Sequence, residues 1–197
     1  MLKQKFGKKI EVGVDEAGRG CLAGPVVAAA VILPKRFNNE LLNDSKKLNR
    51  KNREGLEKII KKKALSYSVG VVSAQKIDEI NILNASFLAM HRAIDQIQIE
   101  YELLLIDGNR FHQYKDVQHK CIVKGDAEFM SIAAASILAK THRDKIMQKL
   151  SLESPEYGWE TNKGYPTKNH RLSIEKHGAN KHHRKSFKLL KHQLSLF

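Results

Sequence analysis

The spacing of apolar residues along the chain predicts its secondary structure. Runs rich in β-branched residues predict strands at 10–15 and 25–33, and three further short runs predict strands at 65–72, 103–106 and 117–123. Apolar residues three and four positions apart predict helices at 51–63, 84–97 and 130–147, and shorter ones near 167–177 and 186–193. Because strands come first and then alternate with helices, the order predicts a mixed α/β sheet with helices on its faces. The helix at 130–147 is alanine-rich on one side, which favours close packing on the sheet.

Charge adds information about the partner. The 35 Lys and Arg residues outnumber the 21 Asp and Glu residues, which gives a net charge of +14. Such a charge favours a polyanion, either nucleic acid or an anionic membrane surface. The apolar run at 22–33 is too short to cross a bilayer, so we expect no membrane-spanning and no secreted segment. Two cysteines, Cys21 and Cys121, form no disulfide framework, and a reducing, cytoplasmic setting is expected.

Four carboxylates stand where predicted elements end or begin. Asp15 and Glu16 close the first strand, Asp107 closes the fourth, and Asp126 precedes the long helix. Strand ends that share one edge of a sheet are the usual ligand sites of α/β folds. Acids gathered there repel each other unless hard cations neutralise them, and Mg²⁺ and Mn²⁺ prefer oxygen ligands. A pair of such ions is the common arrangement for phosphodiester hydrolysis.

Structural explanations remain open for some of these acids. Asp107 precedes Gly108 in a common turn pair, and Asp126 is placed to cap the following helix. Neighbouring residues of a regular strand face opposite sides, so Asp15 and Glu16 share a site only if the chain bends there. The glycine-containing segment 17–20 offers that freedom.

Several motifs, in order, resemble the bacterial ribonuclease HII family. The sequence segments that carry the resemblance are GVDEAGRG (13–20), LAGPVVAA (22–29), DSKKL (44–48), DGN (107–109), KGD (124–126), SIAAASILAK (131–140), GYPT (164–167) with His170, and HRKSF (183–187). Together they span about residues 10–187, nearly the whole chain. An ordered series is far more specific than any one motif.

The resemblance implies a ribonuclease H-like fold: a mixed five-stranded sheet flanked by helices, with a small C-terminal helical segment. It implies one catalytic domain over 1–197, including a helical extension at about 142–192. The implied enzyme hydrolyses RNA in RNA–DNA hybrids, single ribonucleotides embedded in duplex DNA included, in DNA replication and repair. It would cut on the 5′ side of the ribonucleotide and leave a 3′-hydroxyl and a 5′-phosphate. The two Mn²⁺ or Mg²⁺ ions would be held by Asp15, Glu16, Asp107 and Asp126.

The resemblance also implies which residues recognise the substrate. Backbone groups of Gly18, Arg19 and Gly20 would recognise the ribose 2′-hydroxyl, which distinguishes RNA from DNA. Tyr165 would assist them, although by itself it is typical of a core or turn aromatic. Phosphate contacts are implied for Lys46, Lys47 and Arg184. Cys21 and Pro166 depart from the proline and glycine frequent in the family, which puts the fine junction preference in doubt.

Other functions were weighed against this one. Ribonuclease HIII carries a further N-terminal domain, a glutamate as fourth acid and no arginine between the glycines. Arg19, Asp126 and the early start of the motif all favour HII. A basic nucleic-acid-binding protein with structural acids, and a nuclease or resolvase specific for DNA, are the remaining alternatives.

The last five residues carry a separate hypothesis. Gln193, Leu194, Leu196 and Phe197 resemble the short peptide with which bacterial repair and replication proteins bind the sliding clamp. Apolar side chains of an exposed tail can insert into a groove of a partner. The alternative is a final helical turn that packs on the domain. We otherwise expect a monomer.

Overall fold

The fold is built on a mixed sheet of five strands. A computed structural model describes residues 2–42 and 48–190. The strands are β1 (Glu11–Ala17), β2 (Val26–Ile32), β3 (Ser66–Val72), β4 (Leu103–Asp107) and β5 (Gln118–Ile122), in the spatial order β3-β2-β1-β4-β5. β1 pairs antiparallel with β2 and parallel with β4, and β5 continues the parallel half. The predicted mixed sheet is confirmed.

Helices cover both faces of this sheet. They are α1 (Arg50–Lys63), α2 (Ala74–Ile94), α3 (Met130–Glu153), α4 (Trp159–Asn162) and α5 (Lys168–His177). Strand β2 alternates between the two faces: Ala28 and Ala30 pack with residues of α2, while Ala29 and Val31 pack with residues of α1 and α3. This is the period of two expected of a strand buried on both sides.

Two glycines allow the helices to lie unusually close to the sheet. A Cβ atom at Gly13 of β1 would overlap the backbone of Ser131 at the start of α3. A Cβ atom at Gly70 of β3 would overlap the carbonyl oxygen of Ala89 in α2. The alanine-rich side of α3 is buried as predicted, so the start of this helix lies directly against β1.

Several helix boundaries differ from the prediction. α2 begins at Ala74, ten residues before the predicted start, and is interrupted at Asn81 (φ 62°). The Asn81 side chain accepts a hydrogen bond from the backbone N–H of Asn84 (3.1 Å) and so caps the second half, which is the part that the sequence pattern predicts. α3 continues past 147 to Glu153. The helix predicted at 186–193 is wrong over 186–190, and residues 191–193 lie outside the described part.

The C-terminal segment packs against the loop between β1 and β2. The expected extension boundary at 142 falls inside α3, which runs on without a break. Beyond it, Tyr157, Trp159 and Ile174 form a small core with Leu22 and Met147. Within the described residues, no helix is both long and apolar enough to cross a membrane.

Candidate active site

Parallel strands β1 and β4 end at the same edge of the sheet and bring acids together there. Asp15 is only 6% exposed, and its neighbours include the carboxylates of Glu16 and Asp107. Burial, together with these two negative charges, raises the pKa of Asp15 well above its usual range. Ser136 of α3 donates a hydrogen bond to the Asp15 carboxylate, which opposes the shift.

Glu16 reaches this edge without the bend that the sequence predicts. β1 stays in register with β2 through the pair Ala17–Val27, and the chain turns only at Gly18 (φ 97°). The pairing of β1 with β4 ends at Val14, so no β4 residue lies beside Glu16. The Glu16 side chain can therefore approach Asp107, although the side chains of these two residues leave their strands on opposite faces of the sheet.

The two carboxylate oxygens of Glu16 have different surroundings. Oε1 accepts a hydrogen bond from Nη1 of Arg19 at 3.2 Å. Oε2 is buried and has no hydrogen-bond partner among the described residues. Burial raises the pKa of Glu16, Arg19 opposes the shift, and Asp107 adds to it. A buried carboxylate oxygen without a donor is costly unless a cation or a proton comes to it.

Asp107 is tied to the turn that carries Asp126. Its Oδ1 accepts a hydrogen bond from the backbone N–H of Gly125 (2.7 Å). Asp126 is 6% exposed and lines the same cleft as Glu16. The N-cap position of α3 belongs to Phe129, so Asp126 does not occupy it, and the capping explanation is wrong.

The chemistry of this edge fits a divalent cation, but the side chains are not yet arranged around one. Carboxylate oxygens are the right donors, the acids repel each other, and Glu16 Oε2 has no partner. In the described parts of the chain, however, no three His, Cys, Asp or Glu side chains converge closely enough to hold an ion together. A cation bound at this edge would therefore require the side chains of the acids to shift from these positions.

The acids open into a cleft of about 420 Å³ that also contains the 18–20 loop. The cleft is lined by Glu16, Ala17, Gly18, Arg19, Gly20, Arg53, Asp126, Ser136, Ile137, Lys140 and Tyr165. The fold requires a glycine at position 18 but not at position 20. Gly18 has a positive φ, and a Cβ atom there would overlap the side chain of Arg143. A Cβ atom at Gly20 would meet nothing within 4 Å, so the fold itself does not require this glycine.

Two buried arginines hold the loop from inside the protein. Arg184 donates to the carbonyl oxygens of Gly18 (2.7 Å), Arg19 (2.9 Å) and Gly24 (3.0 Å). Arg143 donates to the carbonyl oxygens of Ala23, Pro25 and Lys163. Both side chains are fully buried, and burial lowers the pKa of Arg184 to about 10. Arg184, which the resemblance assigns to phosphate contact, thus contacts the loop and lies away from the surface.

Tyr165 lies at the wall of the cleft and is not the buried core aromatic that its sequence context alone favours. Its side chain is 41% exposed, and Nζ of Lys140 lies 5.9 Å from the ring centroid. The buried thiol of Cys21 is hydrogen-bonded to the Tyr165 hydroxyl, and burial raises the pKa of both groups. Cys21 therefore supplies a side-chain contact for Tyr165. The predicted phosphate contacts Lys46 and Lys47 lie outside the described residues.

Arg143, Ser136 and Lys140 are site residues that the sequence analysis missed. Arg143 had a detectable signal, since it continues the buried row Ala135–Ala139 of α3 at a spacing of four and is followed by Met147. A charged residue on an apolar row indicates a specific buried partner. Ser136 and Lys140 had no such signal, because their role depends on which side of α3 faces the acids.

Comparison with known proteins identifies the family to which the chain belongs. The family model of ribonuclease HII matches residues 12–190. The chain belongs to the ribonuclease HII family. A ribonuclease HII of Bacteroides thetaiotaomicron is 62% identical over 92% of this chain and 90% of its own, and one of Christiangramia forsetii is 58% identical over 97% of each.

Solved structures of this kind have the same fold. The ribonuclease H2 of Pyrococcus horikoshii matches with a TM-score of 0.75 at 25% identity, over 91% of this chain and 94% of that one. The ribonuclease HII in a PCNA complex from Archaeoglobus fulgidus matches at 0.74 and 24%, over 95% and 100%. A Bst-RNase HIII in complex with Mn²⁺ matches at 0.72 and 19%, over 95% and 70%. The last two likenesses concern the fold alone.

Family membership fixes the general activity. As a member of this family, the protein is a hydrolase and an endonuclease that acts on RNA–DNA hybrids. It also decides between the alternatives of the sequence analysis, because relatives near 60% identity over most of the chain are all ribonuclease HII. A ribonuclease HIII assignment and a purely binding function are therefore wrong.

Proposed function

We propose that this enzyme cuts duplexes that contain ribonucleotides, including a single ribonucleotide in duplex DNA. It cuts on the 5′ side of the ribonucleotide and leaves a 3′-hydroxyl and a 5′-phosphate. The observation that carries the proposal is the cleft itself, which is lined by Glu16, Asp126, the 18–20 loop and Tyr165 together. A phosphodiester at the acids would place its ribose next to that loop.

The four acids Asp15, Glu16, Asp107 and Asp126 are the residues that would hold two Mn²⁺ or Mg²⁺ ions. When bound, such ions supply the positive charge that phosphodiester hydrolysis requires at the attacking and leaving oxygens. The raised pKa of Asp15 and the unpartnered Oε2 of Glu16 support this assignment. The Mn²⁺ complex of Bst-RNase HIII, a protein of the same fold, is consistent with it.

The 18–20 loop would recognise the ribose. Arg184 and Arg143 occupy carbonyl oxygens of the segment 18–25 from inside, which fixes the direction of its peptide groups. Because Gly20 has open space where a side chain would stand, a sugar can approach the backbone closely there. Tyr165, held at the other wall, would contact the neighbouring sugar.

A basic groove along α1 and α3 would carry the rest of the duplex. Arg53 lines both the cleft and a small adjoining hollow, which also contains the cations Arg50 and Lys145 and the acids Glu54 and Asp144. Lys145 in turn lines a further depression with Lys149 and His142, together with the acid Glu160. The lining cations outnumber the acids in both hollows, which suits a phosphate backbone and agrees with the net charge of +14.

The C-terminal tail is a second, separate proposal about partners. Gln193, Leu194, Leu196 and Phe197, which lie outside the described residues, would bind a sliding clamp. The PCNA complex of the Archaeoglobus fulgidus ribonuclease HII supports the idea that proteins of this fold bind such a partner. Deletion of residues 193–197 should abolish clamp binding in a calorimetric titration and leave cleavage unchanged. Unchanged clamp affinity would contradict the proposal and favour the packed-tail alternative.

The catalytic proposal is tested with three duplexes of one sequence: all-DNA, DNA with one ribonucleotide, and an RNA–DNA hybrid. We expect cleavage of the second and third with Mg²⁺ or Mn²⁺, none with EDTA, and none of the first. Mass spectrometry of the products should show the 3′-hydroxyl and 5′-phosphate ends. Cleavage of the all-DNA duplex would contradict the proposed use of the 2′-hydroxyl.

A further inference from the structure

Three buried aromatic side chains form a hydrogen-bonded network that ends on the backbone of Tyr165. Trp159 is 0%, His170 0% and His183 1% exposed. Nε1–H of Trp159 donates to Nε2 of His170 at 2.9 Å. The same His170 nitrogen lies 3.2 Å from Nε2 of His183. On its other side, Nδ1 of His170 lies 2.9 Å from the carbonyl oxygen of Tyr165.

These partners fix the tautomer of His170. The indole N–H of Trp159 can only donate, so Nε2 of His170 must accept. The carbonyl oxygen of Tyr165 can only accept, so the single ring proton of His170 must lie on Nδ1. Nδ1 of His183 accepts a hydrogen bond from the backbone N–H of Asn180 (3.0 Å), so the ring proton of His183 lies on Nε2 and faces Nε2 of His170. A proton on Nε2 of His170 would break two of these hydrogen bonds at once.

We infer that His170 is a positioning residue, which sets the place of Tyr165 in the cleft through its Nδ1–H bond to the Tyr165 carbonyl. The backbone N–H of Thr167 donates to the same oxygen (2.8 Å), and among the described residues His170 is the only side chain that forms a hydrogen bond with it. The inference rests on the proposed function, because Tyr165 must contact substrate for its position to matter.

The surroundings of His170 keep it in this state at neutral pH. Arg171, beside it on α5, carries a positive charge, and the neighbouring His182 and His183 carry a positive charge or none. The acid next to this network is Glu153, whose Oε2 lies 3.4 Å from Nε2 of His182. Burial lowers the pKa of His170, with Arg171 adding to the shift, and burial lowers the pKa of His183 to about 4. Burial therefore favours the uncharged form of both rings.

A pair of substitutions separates the two edges of the His170 ring. The amide nitrogen of His170→Asn can take the place of Nδ1–H and keep the bond to Tyr165, but it loses the acceptor for Trp159. His170→Gln can keep an acceptor near Nε2 and loses the donor to Tyr165. We expect kcat/KM on the single-ribonucleotide duplex to fall about 3- to 10-fold for the glutamine variant and less than about 2-fold for the asparagine variant. His177→Gln, an exposed histidine on the same helix, serves as the control.

The lone tryptophan provides a readout that does not depend on activity. Trp159 is the only tryptophan in the chain, so intrinsic fluorescence reports on this network alone. Emission of the wild-type enzyme should stay constant from pH 8 through about 6.5, the ordinary pKa of histidine, and change only at lower pH. A midpoint at the ordinary value would overturn the assignment of a buried neutral His170.

A double substitution distinguishes failure of this inference from failure of the proposed function. If Tyr165→Ala lowers kcat/KM and His170→Gln adds no further loss in that background, His170 acts through Tyr165. If the His170→Gln loss persists unchanged beside Tyr165→Ala, or if both His170 variants lose activity equally, positioning is refuted and the proposed function stands. If Tyr165→Ala alone leaves cleavage unchanged, the proposed substrate contact of Tyr165 is itself wrong, and the inference falls with it.

Discussion

The two sides of the cleft differ in what satisfies their polar groups. On the loop side, the carbonyl oxygens of Gly18, Arg19 and Gly24 are hydrogen-bonded to Arg184, and Arg143 holds the next ones. On the acid side, carboxylates repel each other and Glu16 Oε2 has no partner. The protein itself supplies the hydrogen-bond partners of the loop, whereas the carboxylates still require a cation or a proton.

Under the proposed function, this difference would separate specificity from catalysis within one site. A loop fixed before substrate arrives recognises a sugar without a cost of reorganisation. Because the acids repel each other without cations, the activity of the acidic edge would depend on cation binding. Substitutions on the two sides should consequently fail in different ways, by loss of folding or discrimination on one side and by loss of turnover on the other.

The largest effect is expected for Asp107→Asn. Asparagine keeps an oxygen for the Gly125 N–H but removes a negative charge from the cation site. We predict a fall in kcat of at least about 100-fold, with duplex affinity and thermal stability near those of the wild type. Asp116→Asn, an exposed acid before β5, is the control in steady-state kinetics and binding assays. Turnover near wild type would remove Asp107 from the catalytic group.

The second effect is expected for Arg184→Met, which leaves three carbonyl oxygens without the guanidinium that donates to them. We predict that the free energy of unfolding falls by about 3 kcal/mol. Chemical denaturation measures the change, and Arg110→Met, at an exposed position, provides the comparison. A loss no larger than that of the control would mean that Arg184 does not hold the loop.

The two glycines of the loop should respond in opposite ways. Gly18→Ala is strained by its φ of 97° and by Arg143, and we predict a loss of about 1–3 kcal/mol in the free energy of unfolding. Gly20→Ala has space, so we predict unchanged stability but weaker cleavage at a single ribonucleotide. Melting curves and cleavage assays on both variants test the pair. Equal destabilisation would show that the fold requires both glycines.

The smallest effect is expected in the basic groove. Lys149→Gln removes one exposed cation of the proposed duplex path, which should weaken binding about 2- to 3-fold at every sequence and reduce the salt slope by about one. Lys76→Gln, on α2 at the other face of the sheet, is the control. Fluorescence anisotropy across a salt series measures both, and identical slopes would argue against this path.

The sheet and its acidic edge were predictable because they depend on local pattern. β1 and β2 were marked by β-branched runs, and Asp15 and Asp107 follow the apolar runs of β1 and β4, which pair in parallel and end at one edge. The prediction failed where contacts distant in sequence decide the structure. The first part of α2 was missed although Ala74, Ile77 and Ile80 recur there at a spacing of three, and its interruption depends on the Asn81 cap. The roles of Arg143 and His170 depend on a C-terminal segment folding back on the loop, which no local pattern encodes.

The most direct test of the account is a calorimetric titration of Mn²⁺ into the substrate-free enzyme and into Asp15→Asn, at pH 5.5 and pH 7.5. A carboxyl whose pKa is raised on folding stabilises the protein at low pH, and this contribution is lost as the pH rises through the raised pKa. Mn²⁺ should therefore bind more tightly at the higher pH, release protons at the lower one, and bind much more weakly to Asp15→Asn. Equal binding by the two proteins at both pH values would contradict an acidic edge that is completed by cations.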